Sequence, residues 1–370
     1  MPDNLYPGVY VQEMDPGMHP INGVSTTIVV FVGFAQDGPF TATLIANFLE
    51  FSASFGGLAP DENLAYALQG FFLNGGVQCY ILRLPSEIQS GSIEPREIPL
   101  APLNALADVS IVCCPDEHSV TGMTAALVDH CQQRKDRVAI LAAPLNSDMQ
   151  SGPPPEAQSS FAAYYMPWVL VEDVAGGAAL AVHPGGHIAG AMVQSDLERG
   201  VWKAPANLPI LGIVGLERQI NNEQQGPLNA CGVNLLRNFP GRGNLIWGAR
   251  TTSRDSEWKY INLRRYLIYL EKSIDQGLQW VVFEPNGEVL WAQVRQSVEN
   301  FLFSEYRSGA LQGGSPTQAF FVRCDASTMT QDDIDNGRLI CLVGVAPIYP
   351  AEFVLIQFCK LTGVAAPPSP

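Results

Sequence analysis

The clearest helical pattern in the chain lies between Trp247 and Gly287. Apolar residues recur there at helical spacing and form one face: Leu263, Tyr266, Leu267, Leu270 and Ile274. Charged residues fall off that face, toward solvent or a partner: Arg264, Arg265, Glu271, Lys272 and Asp275. Gly277 suits the end of this helix, because glycine adopts the left-handed conformation without steric cost. An apolar run at 278–283 predicts a following strand, so the unit is expected to run strand, turn, strand, helix, strand.

Hydrophobic patterning elsewhere predicts alternating strands and helices. Apolar runs predict strands at 24–34, 77–84, 109–114, 138–143, 168–171 and 319–324. Amphipathic spacing predicts helices at 62–74, 121–133, 158–165, 290–308 and, with acidic residues, 330–337. The strand–helix–strand order over 109–143 favours a parallel crossover, and the whole pattern predicts a mixed α/β (α+β) fold.

Both ends of the chain are patterned as strands. Prolines and glycines exclude a helix from residues 1–20, but Val9–Glu13 alternates like a short strand. A lone strand is not stable by itself, so it must dock on a sheet of its own chain or of a neighbour. Near the other end, the apolar stretch Leu339–Phe358 contains a single charge, Glu352. Its prolines and β-branched residues favour two strands over a membrane-spanning helix.

Composition narrows the class of protein. The 370 residues suggest two or three domains or subdomains. A charged fraction of only 15% fits a protein that buries much of its surface against copies of itself. The net charge of −15 argues against binding to duplex nucleic acid, which requires positive charge. The first residues lack the basic and apolar regions of a secretory signal, so none is expected.

Eight cysteines are present, and no two form a C-x-x-C pair. Most lie inside apolar runs, as Cys113, Cys114 and Cys341 do. We therefore expect buried, reduced thiols rather than a metal site or disulfide framework.

Candidate catalytic or metal-binding residues are few. Cys114 and His118 could form a nucleophile–base pair, and His183 and His187 could bind a metal. Each candidate site has a structural alternative. Cys114 could be a buried thiol before a polar turn. His183 and His187 could lie in a glycine-rich loop in which Pro184 and two glycines prevent a helix. Neither a P-loop nor a G-x-S-x-G motif occurs. Without a stronger residue set, no cofactor or metal is expected.

Several blocks of sequence together resemble the contractile sheath proteins of phage tails, tailocins and extracellular contractile injection systems. The blocks extend over nearly the whole chain and include 6–13, 21–27, 31–33, 74–84, 109–116, 199–207, 232–234, 241–243, 247–250, 257–265, 283–286, 319–325, 328–330 and 344–353. Many linked blocks are more specific than any single motif. The small size of the chain is more similar to sheaths of extracellular systems or small tailocins than to those of large phages.

The resemblance implies a compact protomer of two subdomains with extended arms. The implied divisions are an N-terminal arm at 1–20, an outer α/β subdomain at 21–250, a tube-facing C-terminal domain at 251–348 and a C-terminal strand and tail at 349–370. The arms would add strands to sheets of neighbouring subunits. The implied linker residues are Tyr6, Val9, Tyr10, Val11 and Glu13 in the N-terminal arm and Phe353, Val354, Leu355, Ile356 and Phe358 in the C-terminal arm.

The implied function is structural. Subunits would polymerise helically, as stacked six-fold rings, around an inner tube and contract by rigid-body rearrangement to drive the tube through a target envelope. Partners would be other copies of the chain, the tube protein, baseplate and terminator or cap proteins and paralogous sheath proteins, with no direct nucleic acid and no membrane insertion. Assembly would take place in the bacterial cytoplasm, as part of a virion or released particle. The alternative is a cytosolic α/β hydrolase-like enzyme.

Charged residues of the C-terminal domain are candidate contacts to other subunits or the tube. They are Arg264, Arg265, Asp332 and Asp333. For the two arginines, a solvated helix face is the alternative, since exposed ion pairs contribute little. For the two aspartates, a stabilised first helical turn is the alternative to a cation or partner. The tube-facing element would be either 330–338 or 299–308.

Overall fold

The computed structural model describes residues 19–60, 62–90, 98–147, 152–174 and 176–353. The N-terminal linker residues Tyr6, Val9, Tyr10, Val11 and Glu13 lie outside these ranges. So do Val354, Leu355, Ile356 and Phe358 of the C-terminal arm.

Fourteen strands and nine α-helices are formed by the described residues. The strands are β1 (Val29–Gly33), β2 (Thr43–Ile45), β3 (Cys79–Arg83), β4 (Ile111–Cys113), β5 (Val138–Ala142), β6 (Ala162–Met166), β7 (Val169–Val171), β8 (Leu180–Val182), β9 (Leu208–Pro209), β10 (Gly215–Leu216), β11 (Val233–Phe239), β12 (Gly243–Trp247), β13 (Phe320–Arg323) and β14 (Leu342–Val345). The helices are α1 (Phe48–Phe55), α2 (Asn63–Leu73), α3 (Met123–Arg134), α4 (Gly185–Arg199), α5 (Asn222–Ala230), α6 (Ile261–Gly277), α7 (Glu288–Arg307), α8 (Pro316–Ala319) and α9 (Gln331–Asp335).

A nine-stranded sheet in the order β2-β3-β1-β4-β5-β6-β11-β12-β9 forms the larger body. Its six central strands, from β3 to β11, run parallel. Side chains of β1 alternate between two hydrophobic cores, with Val29 and Phe31 on one face and Val30 and Val32 on the other. Helices cover both faces, which explains why these strands read as continuous apolar runs. The predicted α/β class and the parallel β4–α3–β5 crossover are confirmed.

Close packing of α2 against α4 depends on glycine. A Cβ atom on Gly186 would lie 2.0 Å from the Ala67 carbonyl oxygen, and one on Gly190 would lie 2.3 Å from the Phe71 carbonyl oxygen. These contacts are shorter than any real packing distance, so only glycine permits the approach. His187 lies in the same seam against Gly70 and is almost fully buried.

A smaller body is built from α6, α7 and the antiparallel pair β13–β14. Its core joins Tyr266 and Leu270 of α6 to Val298 and Leu302 of α7. Tyr266 also donates a hydrogen bond from its hydroxyl to the Glu305 carboxylate at 3.2 Å. The amphipathic faces predicted for both helices are therefore the faces that meet.

Two predicted elements are wrong. Residues 158–165 were expected to be helical, but β6 occupies Ala162–Met166 and all of its side chains are buried. The run 278–283 was expected to be a strand, but a short 3-10 turn forms at Gln279–Val281. Short apolar runs carry no periodicity that separates buried strands from turns or helices. Trp280 of that turn stacks on His19, with ring centroids 3.9 Å apart.

Three smaller expectations also need correction. A second strand before α6 was expected, but only an isolated antiparallel bridge joins Arg250 to Tyr260. Pro184 and its glycines were expected to prevent a helix, yet α4 begins at Gly185, because proline fits the first turn of a helix. Helix α6 does end at Gly277, but the glycine is required there by the close approach of Ile21 rather than by a left-handed backbone.

Burial of His187 predicts a loss of stability in mild acid. Burial, together with the nearby His183, lowers the pKa of His187 from its usual 6.5 to about 4. Below pH 6.5 the unfolded chain binds a proton that the folded chain does not, so stability falls with pH until about pH 4. His187→Gln removes this difference and should lessen the loss between pH 7 and 4 by about 3 kcal/mol.

Urea denaturation between pH 4 and 7 measures this effect. The unmodified chain, measured under the same conditions, is the reference. Identical pH profiles for His187→Gln and the unmodified chain would contradict the assignment to His187.

Candidate inter-subunit interface

The crevice where α/β sheets commonly bind ligands is filled by the chain itself. Strand order reverses between β1 and β4, and ligands of doubly wound folds bind at such a switch point. Here the Asp116 carboxylate accepts hydrogen bonds from the Phe34 backbone N–H and the Asn63 side chain, both at 3.0 Å. Burial raises the pKa of Asp116, and these two hydrogen bonds oppose the shift. The group therefore closes the crevice.

Two of the candidate residues, His118 and His183, lie against the buried carboxylate of Glu117. The Glu117 carboxylate accepts the Ala142 N–H at 2.6 Å and lies 3.1 Å from His183 Nε2 and 3.5 Å from His118 Nε2. Burial raises the pKa of the Cys114 thiol well above its usual value, which disfavours the reactive thiolate. This arrangement ties the ends of β4 and β5 together. In the part of the chain that the structure describes, no three His, Cys, Asp or Glu side chains cluster as metal ligands.

No described helix is both long and apolar enough to cross a membrane.

The pair β13–β14 is an incomplete sheet among the described residues. Its two strands pair in antiparallel register from Phe320↔Val345 to Arg323↔Leu342. Phe321 and Leu342 are 46% and 49% exposed although both are large and apolar. Two-stranded sheets are marginally stable in water, and open edges are templates for added strands. We refer to this pair as the C-terminal ribbon.

Glu352 anchors the segment that follows the ribbon. Its carboxylate accepts two hydrogen bonds from Arg250 at 2.7 Å, one from Tyr260 at 2.9 Å and one from Asn229 at 3.0 Å. Lys259 Nζ lies 2.9 Å from the same group. Burial alone would raise the pKa of Glu352, but the hydrogen bonds outweigh it and lower the pKa to about 2. The root of the C-terminal arm is therefore fixed to the larger body of its own chain.

A groove of about 840 Å³ runs beside this anchor. The β11–β12 hairpin and α5 form one side, and residues 348–353 form the other. Six aromatic side chains line it, namely Trp202, Phe239, Trp247, Tyr260, Tyr349 and Phe353. The arm root therefore lies along an aromatic surface, which includes the predicted linker residue Phe353.

Phe283 is an exposed aromatic on a strained turn. Its φ angle is 72°, in the left-handed region that non-glycine residues rarely occupy. The side chain is fully exposed, at 102% of its reference area, and Val282 and Val289 beside it are 59% and 76% exposed. Both the backbone conformation and the exposure are unfavourable in the isolated chain, which makes this turn a candidate contact surface.

The predicted interface arginines do not lie on an exposed helix face. Arg265 is buried and binds the Asp196 carboxylate through both of its Nη nitrogens, with Nη1 to Oδ1 at 3.0 Å. Arg264 is also buried, between the rings of Trp258 and Phe161 at 3.3 and 4.3 Å from their centroids. The expectation that both arginines face solvent is wrong, because both are buried and join α6 to the larger body. Contact of either with another subunit stays a prediction.

The predicted acidic pair lies at the start of α9. Asp332 and Asp333 each bind Arg338 at 2.8 Å, and Asp333 also accepts hydrogen bonds from Thr330. The Thr330 hydrogen bonds and Arg338 lower the pKa of Asp333 to about 2. Both aspartates stabilise the helix start, and a role for them at the tube stays a prediction.

Sequence reasoning missed the role of Glu352 and the exposure of Phe283. Glu352 was visible as the single charge in a long apolar stretch, a position at which a buried partner is expected. Its partners come from α5 and from residues 250–260, and that distance along the chain hides the contact from pattern analysis.

Two family models match the chain. The phage tail sheath protein central domain matches residues 102–252, and the phage tail sheath C-terminal domain matches residues 253–358. A protein of Pseudomonas aeruginosa strain UCBPP-PA14 described as a prophage major tail sheath protein is 25% identical over 249 residues. That match covers 64% of this chain and 61% of the relative.

Solved structures match over a larger share of the chain. A chain of the anti-feeding prophage (AFP) baseplate superimposes with a TM-score of 0.81 and 31% identity, covering 96% of this chain and 99% of that one. The contracted AFP helical sheath gives the same TM-score with 32% identity, and the contracted sheath of the extracellular contractile injection system PVC gives it with 30%. The chain belongs to the phage tail sheath protein family.

Proposed function

We propose that this chain is a structural subunit of a contractile sheath that polymerises helically around an inner tube. The observation that carries the proposal is its likeness to chains of the AFP baseplate and of the contracted AFP helical sheath, at 31% and 32% identity over 96% of this chain. Coverage of 99% of those chains also supports a compact sheath of the extracellular type rather than a large phage sheath. The enzyme alternative has little support, because burial raises the pKa of the Cys114 thiol and His183 is buried against Glu117.

Subunits are linked by strand addition at the C-terminal ribbon. The ribbon has two strands and exposed apolar side chains, so it can gain backbone hydrogen bonds and burial from further strands. The strand-patterned arms around Val9–Val11 and Phe353–Phe358 supply such strands in other copies. Because donor and acceptor surfaces differ, the contact is head-to-tail and propagates into a helical polymer.

Contraction is a rearrangement of rigid bodies joined by the arms. Buried pairs such as Arg265–Asp196 hold the two bodies of one subunit together, so motion is directed to the contacts between subunits. A difference of a few kcal/mol per subunit between two packings, summed over many subunits, is enough to drive the tube outward. No nucleotide is needed for this step.

The partners follow from the proposed assembly. They are other copies of this chain, an inner tube protein, baseplate and terminator or cap proteins, and paralogous sheath subunits. Similarity to a chain of the AFP baseplate structure supports the baseplate contact. The subunits assemble in the bacterial cytoplasm into a phage-tail-like particle that is then released or acts as part of a virion.

Removing residues 2–18 should abolish assembly without unfolding the core. His19 and Ile21, which pack on Trp280 and Gly277, are kept. We expect a folded chain by circular dichroism that forms no tubes or ring stacks by negative-stain electron microscopy. The pair Val9→Asp and Val11→Asp should act like the deletion, and Gln12→Asp, on the other side of the alternation, should assemble. Normal tubes from the truncated chain would contradict the strand-addition mechanism.

Glu352→Gln should weaken the anchor of the C-terminal arm. Neutralising the carboxylate leaves Arg250 and Lys259 without their counter-charge, at a cost of about 2 kcal/mol. We expect faster proteolysis near 349–353 and a higher subunit concentration for assembly, measured by limited proteolysis and sedimentation. The control Glu223→Gln changes an exposed carboxylate on α5 and should alter neither quantity. Equal proteolysis of both variants would show that Glu352 does not hold the arm.

Phe283→Asn should stabilise the isolated subunit yet weaken its assembly. Asparagine tolerates the left-handed conformation better than phenylalanine, which is worth up to about 1 kcal/mol in the free chain. The lost ring removes apolar area from the proposed contact. Thermal unfolding and sedimentation separate the two effects, and Phe283→Tyr, which keeps the ring, should assemble. If Phe283→Asn assembles as readily as the unmodified chain, this turn is not a contact.

A further inference from the structure

Two cysteines face each other across the C-terminal ribbon. The paired register ends with Arg323 opposite Leu342, and Cys324 and Cys341 are the next residues beyond this last pair. Directly opposed residues of antiparallel strands have Cα atoms about 4.5–5.5 Å apart. A disulfide requires a Cα separation of about 4.4–6.8 Å, so the two positions can be bridged without moving the backbone.

The side chains of Cys324 and Cys341 are hydrogen-bonded to each other. Cys324 is 1% exposed in a cluster with Leu290, Trp291 and Val294 of α7, and Cys341 packs against the same cluster while half-buried. Cys341 is therefore the more accessible residue of the pair.

We propose that Cys324 and Cys341 form a reversible cross-strand disulfide when the chain meets a small-molecule disulfide such as oxidised glutathione. The modification joins β13 to β14 covalently and closes the loop that contains α9. It extends the proposed function but does not depend on it, since the pair lies within one chain.

The chemistry follows from the different environments of the two sulfurs. The hydrogen bond between the two side chains lowers the pKa of Cys341 and raises that of Cys324, so Cys341 is the attacking thiolate. It attacks one sulfur of oxidised glutathione, forms a mixed disulfide and releases one glutathione thiolate. Cys324 loses its proton and attacks the Cys341 sulfur, which releases the second glutathione. Two protein thiols are oxidised, and one disulfide is reduced to two thiols.

This pair differs from the other described cysteines. Cys79, Cys113, Cys114 and Cys131 are buried in the larger body, where burial raises their pKa values. Cys231 is exposed. We expect buried thiols to stay reduced and Cys231 to form only a mixed disulfide with glutathione. A reducing cytoplasm keeps the pair as thiols, and an oxidising exterior closes it.

Peptide mapping after treatment of the folded chain with oxidised glutathione tests the proposal. Alkylation without reduction should yield a cross-linked Cys324–Cys341 peptide that dithiothreitol converts back to two thiols. Cys324→Ser should instead accumulate glutathione on Cys341, and Cys231→Ser, the matched control, should still form the cross-link. Two free thiols in the treated chain, or glutathione on Cys341 of the unmodified chain without a cross-link, would overturn the proposal.

A second measurement reports on the ribbon and does not rely on cysteine variants. Oxidation should slow amide hydrogen exchange within Phe320–Arg323 and Leu342–Val345 at least about tenfold and raise the Tm of the chain by about 5 °C. Exchange in β1 should not change. Unchanged exchange in the ribbon after the cross-link has formed would show that the disulfide does not stabilise β13–β14.

Discussion

The rigidity of the subunit depends on the buried contacts that hold α6 against the larger body. Arg265 and Asp196 are paired at full burial, and Thr26 Oγ1 adds a hydrogen bond to the same carboxylate at 2.7 Å. Removing one partner of such a pair costs about 3–5 kcal/mol, because the other charge is left buried and uncompensated. Arg264, which lies between the rings of Phe161 and Trp258, adds a second contact between α6 and the larger body. Helix α6 therefore belongs to both bodies, and the two move as one.

In contrast to this closed interior, the C-terminal third of the described chain carries several exposed apolar features. The larger sheet buries both faces, and the polar groups at its switch point are satisfied by Asp116 and Glu117. The C-terminal ribbon, the Phe283 turn and the arm root are all incomplete or exposed in an isolated chain. A subunit whose core is fully packed and whose C-terminal features remain exposed is suited to assembly. The Cys324–Cys341 pair lies among these C-terminal features.

Sequence alone predicted the central architecture well where the hydrophobic periodicity extends over a long segment of the chain. The amphipathic faces of α2, α6 and α7 and the β4–α3–β5 crossover follow directly from spacing. The prediction failed for two short segments. In β6 every side chain is buried, so no alternation of polar and apolar residues marks the strand. The turn at Gln279–Val281 is not buried, and its apolar composition alone suggested a strand. Arg264 and Arg265 were assigned to the wrong environment, since a charged residue gives no sign of a partner distant in sequence. The partners of Glu352 could not be predicted for the same reason, since they too are distant in sequence.

The geometry of the Glu352 anchor decides how the subunit withstands a mechanical pull. A tether attached directly to β14 would peel the ribbon open one hydrogen bond at a time. Glu352 instead lies between the ribbon and the rest of the arm and is held by four side chains at once. A pull on the arm would therefore load these bonds together and pass through Arg250 to the end of β12 in the central sheet. The two-stranded ribbon would be shielded from that pull.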